Sequence, residues 1–381
     1  MNNINKIDFN KIIENKSELG TYKNLASDVI RYLSINNSAS FLEILKNVGG
    51  SDRRALRLLN ELVINKILMY HNGTFRLGAK RERRYNSHDL ICERCGGALI
   101  NTSPLSDIKD KMLGIFRNKP RPTFIFDQRP VTVDTTIKRV AYALARGDIQ
   151  DRKIAILGDD DLTSIAISLT KTAKEVHVFD IDKRLISFIK NISHNLGLDI
   201  NVVEQDFSKG VPKPYKSYFD VFMTDPTPTK IPFTVFSNAC LSLLDKGKGV
   251  GYFSIYSSAM DKNLDLQTVM HKMGLLITDV IPSFTEYDFI KETYNQKDKD
   301  LLKIYGNDKL PISFTESLIR VETTKNSKGI NLKYHPNELL GKATIRILND
   351  PKKDPGIQSK NNADKKYLLK IAKQMQKKLT K

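Results

Sequence analysis

Over residues 120–345 short apolar runs alternate with stretches of helical periodicity. Ile154–Leu157, Glu175–Phe179, Ile200–Val203, Phe219–Thr224 and Gly249–Ile255 read as successive strands, each closed by polar, turn-forming residues. Between them, Leu162–Leu169 and the set Leu185, Phe188, Ile189 and Ile192 repeat at the spacing of a helix with one buried face. Phe124–Phe126 reads as a further short strand, followed by a helix from Asp134 to Arg146. Leu275–Ile281 and Ile312–Thr324 are two late strands, expected as an antiparallel pair at the sheet edge. This alternation predicts an α/β domain with a doubly wound, Rossmann-like sheet. In such a sheet ligands bind at the carboxyl ends of the strands.

A different pattern precedes it. Leu25, Val29, Ile30 and Leu33 mark one helix, Phe41, Ile44 and Leu45 a second, and Leu56, Leu59, Leu62 and Val63 a third behind the candidate cap Ser51. Ile67–Tyr70, the turn His71-Asn72-Gly73 and Thr74–Leu77 complete a hairpin. Residues 1–80 are therefore expected to form a winged-helix-like domain. Arg53, Arg54 and Arg57 stand where a recognition helix would meet DNA. The enzyme-like second half favours a domain that kept this shape without nucleic-acid binding.

Residues 81–119 read as a linker carrying Cys92-x-x-Cys95-Gly96-Gly97. A closed zinc site needs four ligands, and this stretch offers two thiols with His88 as a third candidate. A structural zinc at Cys92 and Cys95 and a plain turn both stand as readings, and no obligatory metal is expected. Residues 120–345 form the expected catalytic domain. Residues 346–381 are expected to be a flexible Lys-rich tail, although Leu368, Ile371, Ala372, Met375 and Leu379 line up as one apolar stripe.

The 381 residues carry a formal charge of +18, which suggests polyanion binding until its distribution is considered. Residues 151–230 hold 11 Lys and Arg against 12 Asp and Glu, so the nucleotide-type fold is locally acidic inside a basic shell. No apolar run approaches the eighteen residues of a membrane span, and the polar start has no secretory core. Three cysteines make no disulfide framework, so a cytoplasmic chain is expected.

The chemistry concentrates at Gly158-Asp159-Asp160-Asp161, directly after the first parallel strand. Nucleotide-binding loops at this place usually carry further glycines, whose backbone N–H groups approach an anion. Here carboxylates replace them. Such a loop repels phosphate and attracts cations, which points to a nucleoside with a positive tail. The next strand ends bring Asp180 with Asp182, then Asp206, then Asp225. An acid at the end of the second strand suits ribose hydroxyls. Asp206 suits an adenine amino group, and Asp225 would lie beside the reacting centre. Any one Asp could simply cap a helix or turn. Clustered together, they repel one another and need a compensating cation.

With GDDDL, FDIDKRL, VVEQDF and FDVFMTDPTPT behind a winged-helix pattern and a CxxCGG knuckle, the chain resembles the branched-chain polyamine synthase family, aminopropyltransferases of thermophiles. The resemblance implies an adenosylmethionine-dependent transferase type of fold, with decarboxylated S-adenosylmethionine as co-substrate and spermidine as acceptor. It also implies N4-aminopropyl and N4-bis(aminopropyl) products and release of 5′-methylthioadenosine; separately, a homodimer is expected. It puts Asp159 at the reactive position of the motif, a choice that spacing alone leaves open between Asp159 and Asp160. Asp225 would orient the amine. Gly158, Asp160, Asp161, Asp180, Asp182 and Asp206 would hold the donor. A more distant similarity to spermidine synthases places their loop Asp on Asp161, their ribose acid on Asp180 and their reactive-centre Asp on Asp225. The departure is the loss of glycines at 159 and 160. Asp127, Gln128, Asp134, Glu286 and Asp288 are further candidates for the acceptor side.

Two other readings compete. Asp225-Pro226-Thr227-Pro228 is similar to the motif of amino-methylating enzymes, which would make the chain a nucleic-acid methyltransferase. However, no aromatic residue follows the prolines to stack on a flipped base. A winged-helix regulator that senses a small cation is the non-enzyme alternative.

Overall fold

The computed structural model describes residues 23–41, 43–44, 52–78, 100–245, 247–256, 260–288 and 312–379. Cys92, Cys95 and His88 lie outside these residues, as do the side chains of Arg53, Arg54 and Arg57. The chain divides into two compact units. One is Met1–Pro104 with Ala141–Asp148, and the other is Leu105–Val140 with Ile149–Lys381.

In the first unit α1 (Lys23–Asn36) and α2 (Asp52–Ile64) pack with a small antiparallel sheet of β1 (Ala39–Ser40), β2 (Leu68–His71) and β3 (Thr74–Leu77). Ala26, Val29, Leu33, Ile44, Leu58, Leu59, Leu62 and Leu68 close its core. The Asn72-Gly73 turn has both residues at positive φ, the backbone a tight hairpin needs.

The second unit is built on a seven-stranded sheet. Its strands are β4 (Lys153–Leu157), β5 (Glu175–Asp180), β6 (Ile200–Glu204), β7 (Val221–Thr224), β8 (Val250–Tyr256), β9 (Leu275–Asp288) and β10 (Ile312–Thr323), in the order β6-β5-β4-β7-β8-β10-β9. The first five are parallel, and β10 inserts antiparallel between β8 and β9. The late strands form the expected antiparallel pair at the sheet edge, with β9 outermost. The helices are α3 (Ser106–Asn118), α4 (Val133–Ala145, whose last five residues fall in the first unit), α5 (Thr163–Thr170), α6 (Lys183–Leu196), α7 (Lys230–Leu243), α8 (Met260–Lys272), α9 (Lys342–Asn349) and α10 (Asn362–Leu379). Strands rich in β-branched and aromatic residues bury both faces, and Phe179, Phe219, Phe222, Phe233 and Phe253 fill the interior. The chain order reverses between β4 and β7, the crevice position of a doubly wound sheet.

Three expectations change. Phe124–Phe126 is a 3-10 turn and not a strand, because the Thr123 side chain caps it by accepting from the Ile125 N–H and Asp127 closes it at φ 54°. Residues 106–118, expected within the linker, are helical and belong to the second unit. The expected flexible tail is folded: α9 and α10 bury Ile347, Leu348, Leu368 and Ala372 against Phe124 and Ile125. The apolar stripe explains it, since a helix with a continuous apolar face gains more by docking than its lysines gain by being free. Among the described residues no helix is long and apolar enough to cross a membrane.

Candidate active site

The parallel register puts Leu157 beside Phe179 on one side and beside Thr224 on the other, so the loops after β4, β5 and β7 open at one edge. Gly158 turns the chain there at φ +73°, a conformation that favours glycine. The loop ends at Leu162, a fully buried leucine also in the left-handed region at φ 53°. A non-glycine residue held so is strained by about 1–2 kcal/mol, which the surrounding packing must offset.

A cleft of about 380 Å³ opens over this edge, lined by Gly158, Asp161, Thr163, Asp225 and Ser254 with Ile156, Met223 and Leu318. Its polar wall is organised by a residue that the sequence reading passed over. Arg139 of α4 donates from Nη1 to Asp161 Oδ2 at 2.5 Å, and from Nη2 to Asp225 Oδ2 at 2.8 Å and Ser254 Oγ at 2.7 Å. Although burial works against its charge, Asp161 and Asp225 hold the guanidinium above even the ordinary arginine range. The start of α4 is fixed to the same loop: the Val131 N–H donates to Asp161 Oδ1 and Thr136 Oγ1 donates to the Asp161 carbonyl.

Asp225 also accepts from the Tyr287 hydroxyl at 2.6 Å, and that hydroxyl lies 2.8 Å from Glu316 Oε2. Burial raises Asp225, while Arg139 and the Tyr287 hydroxyl pull it back. Tyr287 lies behind Asp225 at the end of β9, which residues 130–132 pair with: Thr132 N–H donates to the Glu286 carbonyl and Asp288 N–H to the Pro130 carbonyl. Arg139, Tyr287, Glu316, Ser254 and Thr285 are the site residues that sequence reasoning missed. The one signal available was an Arg on the otherwise apolar face of the 134–146 helix.

The predicted acids separate into groups. Gly158, Asp161 and Asp225 line the cleft. Asp159 is fully buried beneath it, where its carboxylate accepts from Ser164 Oγ at 2.5 Å and from the Ser164 N–H. Burial raises Asp159 to about 7 against those Ser164 hydrogen bonds, with Asp161 and Asp180 adding to the rise. Asp160 faces a neighbouring recess with Lys119, Gln128 and Asp182. Burial first, then Asp161, hold Asp160 well above the usual carboxylate range, and its Oδ2 is buried without a hydrogen-bond partner among the described residues. Asp180 accepts from the backbone N–H of Asp159 at 3.0 Å and of Asp182 at 2.7 Å, which ties the β4 and β5 ends together. Burial raises it to about 6.

Asp182 adjoins this cluster with its carboxylate otherwise engaged, and Asp206 stands apart from it. Asp182 caps α6 and pairs with Arg184 at 2.6 Å, while Gln128 donates to it at 3.1 Å. Asp206 caps the turn Phe207–Lys209 by accepting from Ser208. Of the acceptor-side candidates, Asp127 accepts from Thr227 Oγ1, Asp134 pairs with Lys109 and Glu286 with Lys138, and Asp288 is raised by burial.

Asp161 and Asp225 therefore share one buried guanidinium, and Asp159, Asp160 and Asp180 lie behind them with raised pKa values. Such an edge holds protons in excess until a cation arrives. It suits a positively charged small molecule and disfavours a phosphate or carboxylate ligand.

Comparison with known proteins agrees with that chemistry. A family model described as the branched-chain polyamine synthase A C-terminal domain matches residues 107–343. An N(4)-bis(aminopropyl)spermidine synthase of Methanocaldococcus jannaschii is 35% identical over 245 residues, 63% of this chain and 69% of that one. Its namesake in Thermococcus kodakarensis is 34% identical over 252 residues, 63% of this chain and 70% of that one. The fold is also similar to a solved branched-chain polyamine synthase of Thermus thermophilus in complex with N4-aminopropylspermidine and 5′-methylthioadenosine. That likeness has a TM-score of 0.56 at 22% identity and covers 88% of this chain and 98% of that one.

Proposed function

The chain belongs to the branched-chain polyamine synthase family, and on that premise we propose that it is an aminopropyltransferase acting on spermidine. Decarboxylated S-adenosylmethionine is the donor. The products are N4-aminopropylspermidine and then N4-bis(aminopropyl)spermidine, with 5′-methylthioadenosine released at each transfer. The observation that carries this reading is the excess of carboxylates over cations lining the cleft, Asp161 and Asp225 against Arg139, with Asp160 in the adjoining recess.

Donor choice follows from charge. Ordinary adenosylmethionine carries a carboxylate that would enter this acidic edge, and decarboxylation removes it. Two unit charges about 4 Å apart interact by roughly 4 kcal/mol at an effective dielectric of 20, so exchanging repulsion for attraction is worth orders of magnitude in affinity. The unpartnered Asp160 Oδ2 fits an ammonium, which would supply the hydrogen bond it lacks.

In the transfer the acceptor nitrogen forms a bond to the carbon beside sulfur, and the carbon–sulfur bond breaks with its electron pair going to sulfur. The attacking amine must first lose a proton. Asp225, at the cleft wall, holds the amine in line with the leaving sulfur. Asp159 takes the proton, a role suited to a group near 7. Because Asp159 is covered, this role requires the Gly158–Leu162 loop to shift about its two left-handed ends.

Incubation with decarboxylated or ordinary adenosylmethionine, plus spermidine or RNA, tests the reading by product mass. Aminopropylated spermidine supports it, and methylated RNA would replace it with a methyltransferase. D159N separates base from scaffold: near-complete loss of turnover with donor binding kept supports the base, whereas equal loss of both makes Asp159 a loop support. The same reading makes the first unit a winged-helix-like module and the protein a cytoplasmic homodimer, the dimer being testable by light scattering.

A further inference from the structure

The hydroxyl of Tyr287 is within hydrogen-bond distance of two carboxyl groups, Asp225 Oδ2 at 2.6 Å and Glu316 Oε2 at 2.8 Å. A phenol carries one proton and can donate to only one of them. The other contact needs a proton from a carboxylic acid. Asp225 also accepts from Arg139 Nη2 at 2.8 Å, which favours its anion. Glu316, 3% exposed on β10, has no ion pair among the described residues. The proton therefore sits on Glu316. Glu316 donates to Tyr287, and Tyr287 donates to Asp225.

We propose that Glu316 is a positioning residue for aminopropyl transfer: as a neutral acid it turns the Tyr287 hydroxyl toward Asp225, keeping that carboxylate ionised and oriented for the acceptor amine. The proposal rests on the role given to Asp225 above. Arg139 and Tyr287 both donate to Oδ2 of Asp225, which leaves Oδ1 to meet a cation in the cleft. If Glu316 ionises, it draws the Tyr287 proton away, so Asp225 loses a donor and gains a second buried negative charge nearby. The groups facing Glu316 are Tyr287 from β9, Asp225 after β7, Arg139 from α4 and Asp161 after β4. Burial, and then the charge of Asp225, raise Glu316 to about 8.

The test compares pH–rate profiles of the native chain, E316Q, Y287F and D225N from pH 6.5 to 9.5, each normalised to its own rate at pH 6.5. A Gln amide donates to the Tyr287 oxygen as the neutral acid does and cannot ionise. The native rate is expected to fall relative to E316Q as pH rises through 8, by about tenfold at pH 9. Y287F, which is nearly isosteric, should raise the KM for spermidine and follow E316Q in shape. Superimposable native and E316Q profiles would overturn the proposal. Infrared difference spectra locate the proton without turnover: a neutral carboxyl band at pH 7 that disappears in E316Q supports its placement, and an unchanged band refutes it. Undiminished activity in D225N would instead remove the role of Asp225, whatever the infrared result.

Discussion

Arg139 lies 2.8 Å from Asp225 through Nη2 while its Nη1 is committed to Asp161, so one buried cation serves two carboxylates from different strand ends. This bridge compensates enough repulsion for the acids to share an edge, and it leaves them short of positive charge. The proposed preference for cationic ligands rests on that deficit.

Removing the bridge should be costly. Arg139→Met leaves Asp161 and Asp225 buried beside one another without a counter-charge. Stability should fall by about 3–5 kcal/mol, measured by urea denaturation at pH 7. Arg139→Lys should recover little, because an ammonium lacks the fork that reaches both partners. Full recovery by Lys would show that the geometry of the guanidinium is immaterial.

Ligand binding should release protons. Asp159 and Asp180 are raised by burial to about 7 and about 6, so part of each is protonated in the free protein near neutrality. A cation favours the ionised forms. Affinity for the donor or spermidine should therefore rise with pH from 5.5 to 7.5 and then level off. Calorimetry in buffers of different ionisation enthalpy reads the released protons directly. Binding with no proton change at pH 6.5 would contradict the raised values.

The folded C-terminal segment should support the cleft from a distance. Asp354 accepts from Thr123 Oγ1 and from the N–H of Phe124, and fully buried Leu368 packs in the same cluster. Leu368→Ala should cost about 2–5 kcal/mol if the segment unfolds with the rest of the unit. Asp354→Ala should weaken spermidine turnover by loosening the turn that leads into Asp127 and Gln128. Melting temperature and kcat/KM measured together would reveal a segment that is merely appended, since neither would move.

Packing under the site leaves no room for an added methyl group. A Cβ at Gly251 would stand 2.1 Å from the Phe222 ring, so Gly251→Ala should destabilise by about 1–3 kcal/mol. Adding Phe222→Leu should restore part of that loss, and a strictly additive double-mutant cycle would argue against the contact.

Much of this protein is legible along the chain. The period-2 and period-3.6 apolar patterns locate the sheet and its helices, and Asp159–Asp161, Asp180 and Asp225 close strands that lie side by side, so their convergence follows from the doubly wound topology. Sequence could not distinguish Asp225, which lines the cleft, from Asp182, which caps α6, and Asp206, which caps a turn. Each is an Asp just past a strand, and only the local backbone directs its carboxylate. Arg139, Tyr287 and Glu316 come from α4, β9 and β10 and carry no motif. They meet because residues 130–132 pair with the end of β9 and β10 inserts between β8 and β9. Periodicity records which face of an element is buried, and the sequence alone therefore determined the sheet and the acids at its strand ends. Which buried faces meet is a matter of long-range packing, and only the tertiary structure decided that one arginine, one tyrosine and one glutamate would sit behind those carboxylates.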